Sequence, residues 1–459
     1  MGEAVSFFKA YDMRGTYGVD FDSALVRKIG KALPRVVPGE RWLIGRDARL
    51  TSLELRDALV DGLLSAGVSV TDIGLCTTPM VYYFTAADGY DGSVMITASH
   101  NPPTDNGLKV SSKTALPVGY ANGLSKVEEI ISTLPDDTSE KRSLAPSTDC
   151  DWIERYLEFI RSFKCLENIA NANLKFAIDA SCGMAALLVK KIFPNALIIN
   201  DTIDGAFPAH SPNPLNPEAR KQVAQLVREK GLDCAVIFDG DADRAMFIDE
   251  NGEFVQPDYL VPVVAKSCMK AHGLTKADRP KVLHDVRTSR GAIEVINELG
   301  CQSIMVEVGH AFAKPKMRAL GALCGGELAG HYYFSDFFGC DSGVLAAIHI
   351  LSQIAEAKSR GETFSKMMSN ISSRYANSGE LNFKVEDKDA AIERVKKCAL
   401  SLSEITKISE IDGIRIDMRD GWVNVRKSNT EPYLRLVVEA LNKDMLANWI
   451  TLLTAAVGV

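Results

Sequence analysis

A serine, three aspartates and a basic loop carry most of the chemistry this sequence offers. Thr97-Ala98-Ser99-His100-Asn101-Pro102-Pro103 follows the apolar strand Ser93 to Ile96, and its two prolines stiffen the loop that presents Ser99. A rigid serine so placed is a candidate nucleophile. No G-x-S-x-G elbow surrounds it, and on an extended backbone the adjacent His100 points elsewhere, which argues against a hydrolase triad. Taken alone, a Ser-Asn-Pro turn without a catalytic role is the plainer reading.

Phe238-Asp239-Gly240-Asp241-Ala242-Asp243-Arg244 changes that balance. Three carboxylates at alternate positions just past a strand can converge on one hard cation, and Mg²⁺ suits an all-oxygen set. A calcium loop of the EF-hand type also opens with alternating acids, but Arg244 stands where that loop needs glycine, and strands rather than helices flank it. A cation held by three carboxylates has room to accept an oxygen of a phosphorylated Ser99, so the two loops account for each other. A solvated acidic turn is the alternative.

Two further loops suit a phosphorylated sugar. Arg426-Lys427-Ser428-Asn429-Thr430-Glu431-Pro432, with Arg435 beyond, follows the strand Trp422 to Val425 and offers guanidinium, hydroxyl and amide donors to a phosphate. An exposed polar hairpin would have the same composition. In Gly325-Gly326-Glu327-Leu328-Ala329-Gly330-His331 the glycines permit close approach and Glu327 can accept two sugar hydroxyls. His331 and His310, taken alone, read as structural histidines.

These loops need a scaffold. Three segments share one shape, an apolar strand ending at an Asp, a short polar turn and a helix-period run: Trp42 to Asp47 before Leu53, Leu55, Leu59 and Leu63; Phe176 to Asp179 before a run Ala185 to Phe193 capped by Ser181; and Val282 to Asp285 before a helix through Ile293, Val295 and Ile296. Such repetition predicts three related α/β units. The Ser-, Pro- and Asp-rich stretch 132–148 reads as a linker, and the strand pair Cys234 to Phe238 and Ala245 to Ile248 closes the second unit. The last 80 or so residues switch to strands near Leu381, Ile414, Val423 and Leu434, with helices from Ala390 and Lys443, an α+β domain lying over the others. The expected domains are 1–148, 149–253, 254–372 and 373–459.

Composition agrees with a soluble multidomain enzyme: 459 residues exceed the roughly 100 to 200 of one domain, with 46% hydrophobic and 24% charged residues. A net charge of −7 argues against nucleic acid or an anionic membrane as partner. Ten scattered cysteines without a C-x-x-C pair read as reduced thiols, and the absence of an apolar leader or spanning run points to the cytoplasm. Met1-Gly2 with Ser6 fits the loose myristoylation pattern, which chance matches often do.

Together the four loops, in this order, resemble the α-D-phosphohexomutase superfamily, in particular its phosphomannomutase/phosphoglucomutase branch. The likeness begins at Lys9-Ala10-Tyr11-Asp12-Met13-Arg14-Gly15, runs through Gly45-Arg46-Asp47 and spans nearly the whole chain. It implies three similar mixed α/β domains around a central cleft with an α+β cap. It also implies phosphorylation of Ser99, Mg²⁺ on Asp239, Asp241, Asp243 and the phosphoserine, and hexose 1,6-bisphosphate as intermediate and activator. The implied catalytic groups are Ser99, Arg14, Lys109 of Asn106-Gly107-Leu108-Lys109, Arg244 and His331, with Lys109 or His331 as the base. The implied substrate contacts are Tyr11, His100, Arg287, His310, Glu327, Ala329, Arg426, Ser428, Asn429, Thr430 and Arg435.

Two positions depart from the pattern. Ala329 stands where many relatives have serine, and Arg287 where bifunctional relatives often have lysine, a planar fork in place of a point donor. The resulting expectation is mannose phosphate as substrate, with glucose phosphate also accepted, by a monomer or homodimer. Phosphoglucosamine mutase, a non-catalytic sugar-phosphate-binding protein and a phosphatase-like hydrolase are the competing readings.

Overall fold

The computed structural model describes residues 7–135, 142, 144–145, 147, 150–428 and 433–458. Four sheets organise them. In the first, strand Arg41–Arg46 lies parallel to Ser69–Leu75 on one side and to Gly92–Ile96 on the other. Gly92–Ile96 then turns back through the serine loop into the antiparallel strand Asp105–Ser112. The second sheet repeats this: Phe176–Asp179 is parallel to Leu197–Ile199 and Cys234–Phe238, and the latter turns through the acidic loop into Ala245–Asp249. So does the third, in which Lys281–Asp285 is parallel to Gln302–Val306 and Cys324–Gly326, and the latter turns through Glu327 into Tyr332–Phe334. The serine loop, the acidic loop and the glycine-rich loop are therefore the same hairpin turn in three copies of one sheet.

The repeated aspartate at the strand end is a turn-former. Asp47, Asp179 and Asp285 each accept through Oδ1 the backbone N–H two residues on, at 3.0, 2.9 and 2.7 Å. A short carboxylate that caps its own turn stops the strand and starts the next segment. In the first and third units helices Ser52–Ser65 and Arg290–Glu298 follow as expected, the latter capped by Ser289. The second unit differs. Ala185 to Phe193 forms no single helix but a 3₁₀ turn, Met184–Leu187, and one α turn, Val189–Ile192. Ser181 does not cap it. Its backbone is left-handed, its Oγ donates to Phe238 O at 2.6 Å, and Met184 N–H donates to Gly240 O, so the acidic loop claims the groups that would have started the helix.

The second sheet also takes in Phe254–Val255, two residues past the expected boundary, because Phe247 and Ile248 pair with them. The fourth sheet is antiparallel throughout, in the order Ala376–Phe383, Leu434–Ala440, Gly421–Lys427, Ile414–Met418, Ile405–Ser409. Its edge strand Ile405–Ser409 was not foreseen, since Thr406, Lys407 and Ile408 are all exposed and carry no apolar alternation.

One continuous apolar core runs through the first three sheets, from Leu43 and Phe84 through Phe176 and Phe238 to Val282 and Leu351. The helix Gly343–Ser359, buried almost all round, is its axis. The fourth sheet packs on a separate core from Ala391 to Val457. Among the described residues no helix is long and apolar enough to cross a membrane.

Asp258 sits in this frame with its Oδ2 accepting from Ser289 N–H at 2.9 Å and its Oδ1 without a hydrogen-bond partner. Burial, with like charge from Glu439 and Asp285, pushes its carboxyl up to about 7 against the pull of that N–H. A raised carboxyl pKa means the folded chain binds the proton more tightly than the unfolded one. The stabilisation is therefore complete below the ordinary value of 3.8 and is lost as pH climbs towards 7, on the order of a few kcal/mol. Asp258→Asn keeps the acceptor and removes the titration. Its apparent Tm should rise above that of the parent by a margin that widens from pH 5 to pH 7 and then holds; a margin constant over that range would exclude a buried proton on Asp258.

Candidate active site

Ser99, Asp239, Asp241 and Asp243 are all fully buried, which removes the reading of a solvated acidic turn. Ser99 Oγ donates to Asp239 Oδ2 at 2.8 Å. Its backbone is left-handed, with φ of 50°, and this conformation swings His100 round so that Nδ1 lies 3.2 Å from Ser99 Oγ. The expectation that His100 points away assumed an extended backbone and is corrected here. Burial and the surrounding cations Arg244 and Arg14 hold the His100 imidazole well below its ordinary pKa, so it stands neutral beside the serine.

Strain at Ser99 is sustained by Arg49, which sequence reasoning passed over one turn beyond Gly45-Arg46-Asp47. Its guanidinium donates to the carbonyls of Ser99, Asn101, Pro102 and Asp105 at 2.6 to 2.9 Å and pairs with Asp47 at 3.2 Å. On the other side the loop meets Gly240, where a Cβ would stand 2.5 Å from Ser99 O. Only glycine allows the two loops this contact.

One oxygen from each of Asp239, Asp241 and Asp243 lies within 4.8 Å of the others, and Asp241 Oδ1 and Asp243 Oδ1 are buried without a hydrogen-bond donor. Orphaned, converging, buried carboxylate oxygens fit a divalent cation. Their charges crowd one another. Burial and the two neighbouring carboxylates push Asp239 well up, whereas Asp243, despite its own burial, is held down to about 2 by Lys109 and His331. Lys109 Nζ lies 2.8 Å from Asp241 and 2.5 Å from Asp243, and although burial works against its charge these two carboxylates raise its pKa. Thr78, at the start of the helix Thr78–Ala87, donates its Oγ1 to Asp241 Oδ2 at 2.5 Å and was not foreseen.

The third wall is tied to the second by a backbone bridge between Arg244 and His331. It places His331 Nδ1 3.8 Å from Asp243 and 2.7 Å from Asp341 Oδ2. Asp341 is in turn paired with Lys314 at 2.7 Å. Neither Asp341 nor Lys314 carries a local motif, and only the fold brings them to the site. Arg244 Nε stands 3.7 Å from Asp239 and 3.9 Å from Asp243. Arg14 is paired with Asp12 at 2.6 Å and reaches the serine loop at Ala98 O and Asn101 Oδ1, both 3.4 Å.

Glu327 is buried, its Oε1 accepting from Tyr333 OH at 2.5 Å and from Gly309 N–H at 3.2 Å. The same glycine lies against the ring of Tyr11, whose OH donates to Val308 O. His310, 6.2 Å from the Tyr11 ring and 6.1 Å from the His331 ring, is buried with neither ring nitrogen hydrogen-bonded, and so differs from a satisfied structural histidine. Ala329 is half-buried in the turn beside Glu327. Arg287 grips Asp285 and also reaches Glu380 at 3.0 Å. Arg426 and Arg435 meet the same glutamate at 3.2 and 2.9 Å. Ser428 directly follows the strand Gly421–Lys427, and Asn429 and Thr430 lie outside the described residues.

Four domains that bring a buried serine, a cation-binding acid cluster and an arginine-rich cap to one cleft define a phosphoryl-transfer enzyme of the phosphohexomutase class. Residues 6–136, 154–252 and 256–375 match the α/β/α domains I, II and III of phosphoglucomutase/phosphomannomutase, and residues 380–451 match its C-terminal domain. The chain belongs to the phosphoglucomutase/phosphomannomutase family. It is 34% identical to a phosphomannomutase of Vibrio cholerae over 459 aligned positions, covering 96% of each chain. It is 35% identical to the phosphohexose mutases of Xanthomonas campestris pv. campestris over 94% of each. The crystal structure of a family protein from Burkholderia thailandensis superposes with a TM-score of 0.82 at 28% identity, covering 99% of this chain and 97% of that one.

Proposed function

We propose that this phosphohexomutase moves a phosphoryl group between O1 and O6 of mannose phosphate, and of glucose phosphate, through phosphorylated Ser99 and a hexose 1,6-bisphosphate. The observation that carries the reading is Ser99 Oγ held 2.8 Å from Asp239 Oδ2, inside a buried cluster of three carboxylates. The names of the relatives, phosphomannomutase and phosphohexose mutases, support mannose and a wider hexose range.

In this mechanism a free sugar hydroxyl attacks the phosphorus of phospho-Ser99. The new O–P bond forms as the Ser99 Oγ–P bond breaks, and the hydroxyl proton passes to His331 in its unprotonated form. Asp341 holds that imidazole in place, whereas Lys109 is committed to two carboxylates and serves as charge rather than base. Asp239, Asp241 and Asp243 would hold Mg²⁺, which supplies positive charge to the transferring phosphoryl when bound. Arg14 and Arg244 add charge from the two sides. Glu327 reads sugar hydroxyls, and Arg426, Arg435 and Ser428 hold the phosphate that is not reacting. In the second half the bisphosphate turns round and returns its other phosphoryl to Ser99.

The test is turnover of mannose 1-phosphate, glucose 1-phosphate and glucosamine 1-phosphate with Mg²⁺ and a trace of hexose bisphosphate. Isomerisation of the first two is expected. Turnover of glucosamine 1-phosphate alone would move the assignment to the amino sugar, and stoichiometric release of inorganic phosphate would make the enzyme a hydrolase.

A further inference from the structure

Glu380 stands where three guanidiniums converge. Its Oε2 accepts from Arg287 Nη1 at 3.0 Å and from Arg426 Nη2 at 3.2 Å, and its Oε1 lies 2.9 Å from Arg435 Nη1. The placement is built into the backbone: the strand Ala376–Phe383 bulges between Asn377 and Glu380, Gly379 takes a φ of 65°, and Asn377 Oδ1 accepts from Gly379 N–H. A bulge re-aims the side chain that follows it. Arg426 is buried, with Nε lacking a hydrogen-bond partner, and its nearest other carboxylate is Asp412 at 3.9 Å. Burial works against a charge on Glu380, and Arg287, Arg435 and Arg426 overcome it, holding its pKa down to about 2.

A carboxylate and a phosphate present the same acceptor geometry to a guanidinium fork. The donors that Glu380 takes belong to Arg426 and Arg435, the residues read above as the phosphate grip, and to Arg287, which comes from the third sheet rather than the fourth. We propose that Glu380 is a built-in competitor for the phosphate subsite, its carboxylate occupying the N–H groups of Arg287, Arg426 and Arg435 until a substrate phosphate takes them. The inference rests on the reading of the Arg426 loop as that subsite. A subsite weakened in this way lets the bisphosphate leave the grip and turn round. A site of three uncompensated arginines would hold one end of it.

The consequence has a direction that a merely structural glutamate would not give. Glu380→Gln keeps shape and one acceptor but removes the competing charge, so inorganic phosphate, titrated calorimetrically, should bind about tenfold tighter or more. KM for hexose 1-phosphate and kcat should both fall by about the same factor, because ground-state grip tightens while turning round slows. Glu380→Asp, which keeps the charge but draws it back by one methylene, should bind phosphate more tightly than the parent and less tightly than Glu380→Gln. Arg426→Ala in the otherwise unchanged enzyme supplies the reference and should weaken phosphate binding. If it does so while Glu380→Gln binds phosphate equally or more weakly, the competitor is refuted and the subsite stands. If Glu380→Asp binds phosphate more tightly than Glu380→Gln, the carboxylate charge is not what competes and the inference is refuted. If Arg426→Ala leaves phosphate binding unchanged, the subsite assignment fails and the inference falls with it.

Discussion

Replacing Ser99 by alanine is expected to lower mutase turnover by about 10⁴-fold or more and to leave the protein without the covalent phosphate proposed for that residue. The size of the effect follows from the role. A residue that carries the group in transit has no substitute, because His100 beside it is held neutral and lies 3.2 Å away on the same rigid loop, aimed at Oγ rather than at the cleft as an independent carrier. The fold should be indifferent, since the loop is held through backbone carbonyls by Arg49 and loses only the Oγ contacts to Asp239 and His100. Intact mass, peptide mapping and turnover on the same preparations check both halves. Phosphate mapped to another residue in an active sample would sink the assignment.

Asp241→Asn should cost about 10²- to 10³-fold in turnover and weaken the divalent cation by about 10- to 100-fold. Asp241 offers its orphaned Oδ1 to the cluster and its Oδ2 to Lys109 and Thr78, so the substitution removes a ligand oxygen's charge and half of what holds Lys109. The metal-free variant should melt no lower than the parent. Three carboxylates share one buried site; burial raises the pKa of Asp239 most, and repulsion from Asp243 and Asp241 adds to it, of which the substitution relieves the Asp241 part. Titration with Mg²⁺ followed by calorimetry, beside thermal melts without metal, separates the two effects. Activity within about threefold of the parent would remove the acid cluster from the mechanism.

What the sequence disclosed and what it withheld follow a physical division. The serine loop, the acid triplet and the glycine-rich loop were legible because each packs its polar groups into one short run at the end of an apolar strand. The three strand-end aspartates were legible as a repeat, but their work as turn-formers needed the hydrogen bonds. Arg49, Thr78, Lys314, Asp341 and Glu380 lie singly among ordinary neighbours and join the site only through the third dimension. His100 was misread because a left-handed φ at a non-glycine residue has no marker in composition. The second unit's helix failed for a related reason: the Met184 amide is spent on Gly240 of the acidic loop and the Ser181 hydroxyl on Phe238 O.

The separation of the fourth sheet's apolar core from the one that runs through the first three sheets sets how the cleft can change shape. The walls bearing Ser99, the three aspartates and Glu327 share one core, and the wall bearing Arg426 has its own, joined to the rest through polar links at Arg287, Arg290 and Arg415. Apolar interlock resists shear, whereas a seam of hydrogen bonds can re-form after a swing. The reacting end of the cleft therefore behaves as an anvil and the distal end as a hinged jaw. An intermediate that must rotate end over end needs clearance at one end only, and the part of the site that would be spoiled by loosening is the part the interior keeps fixed.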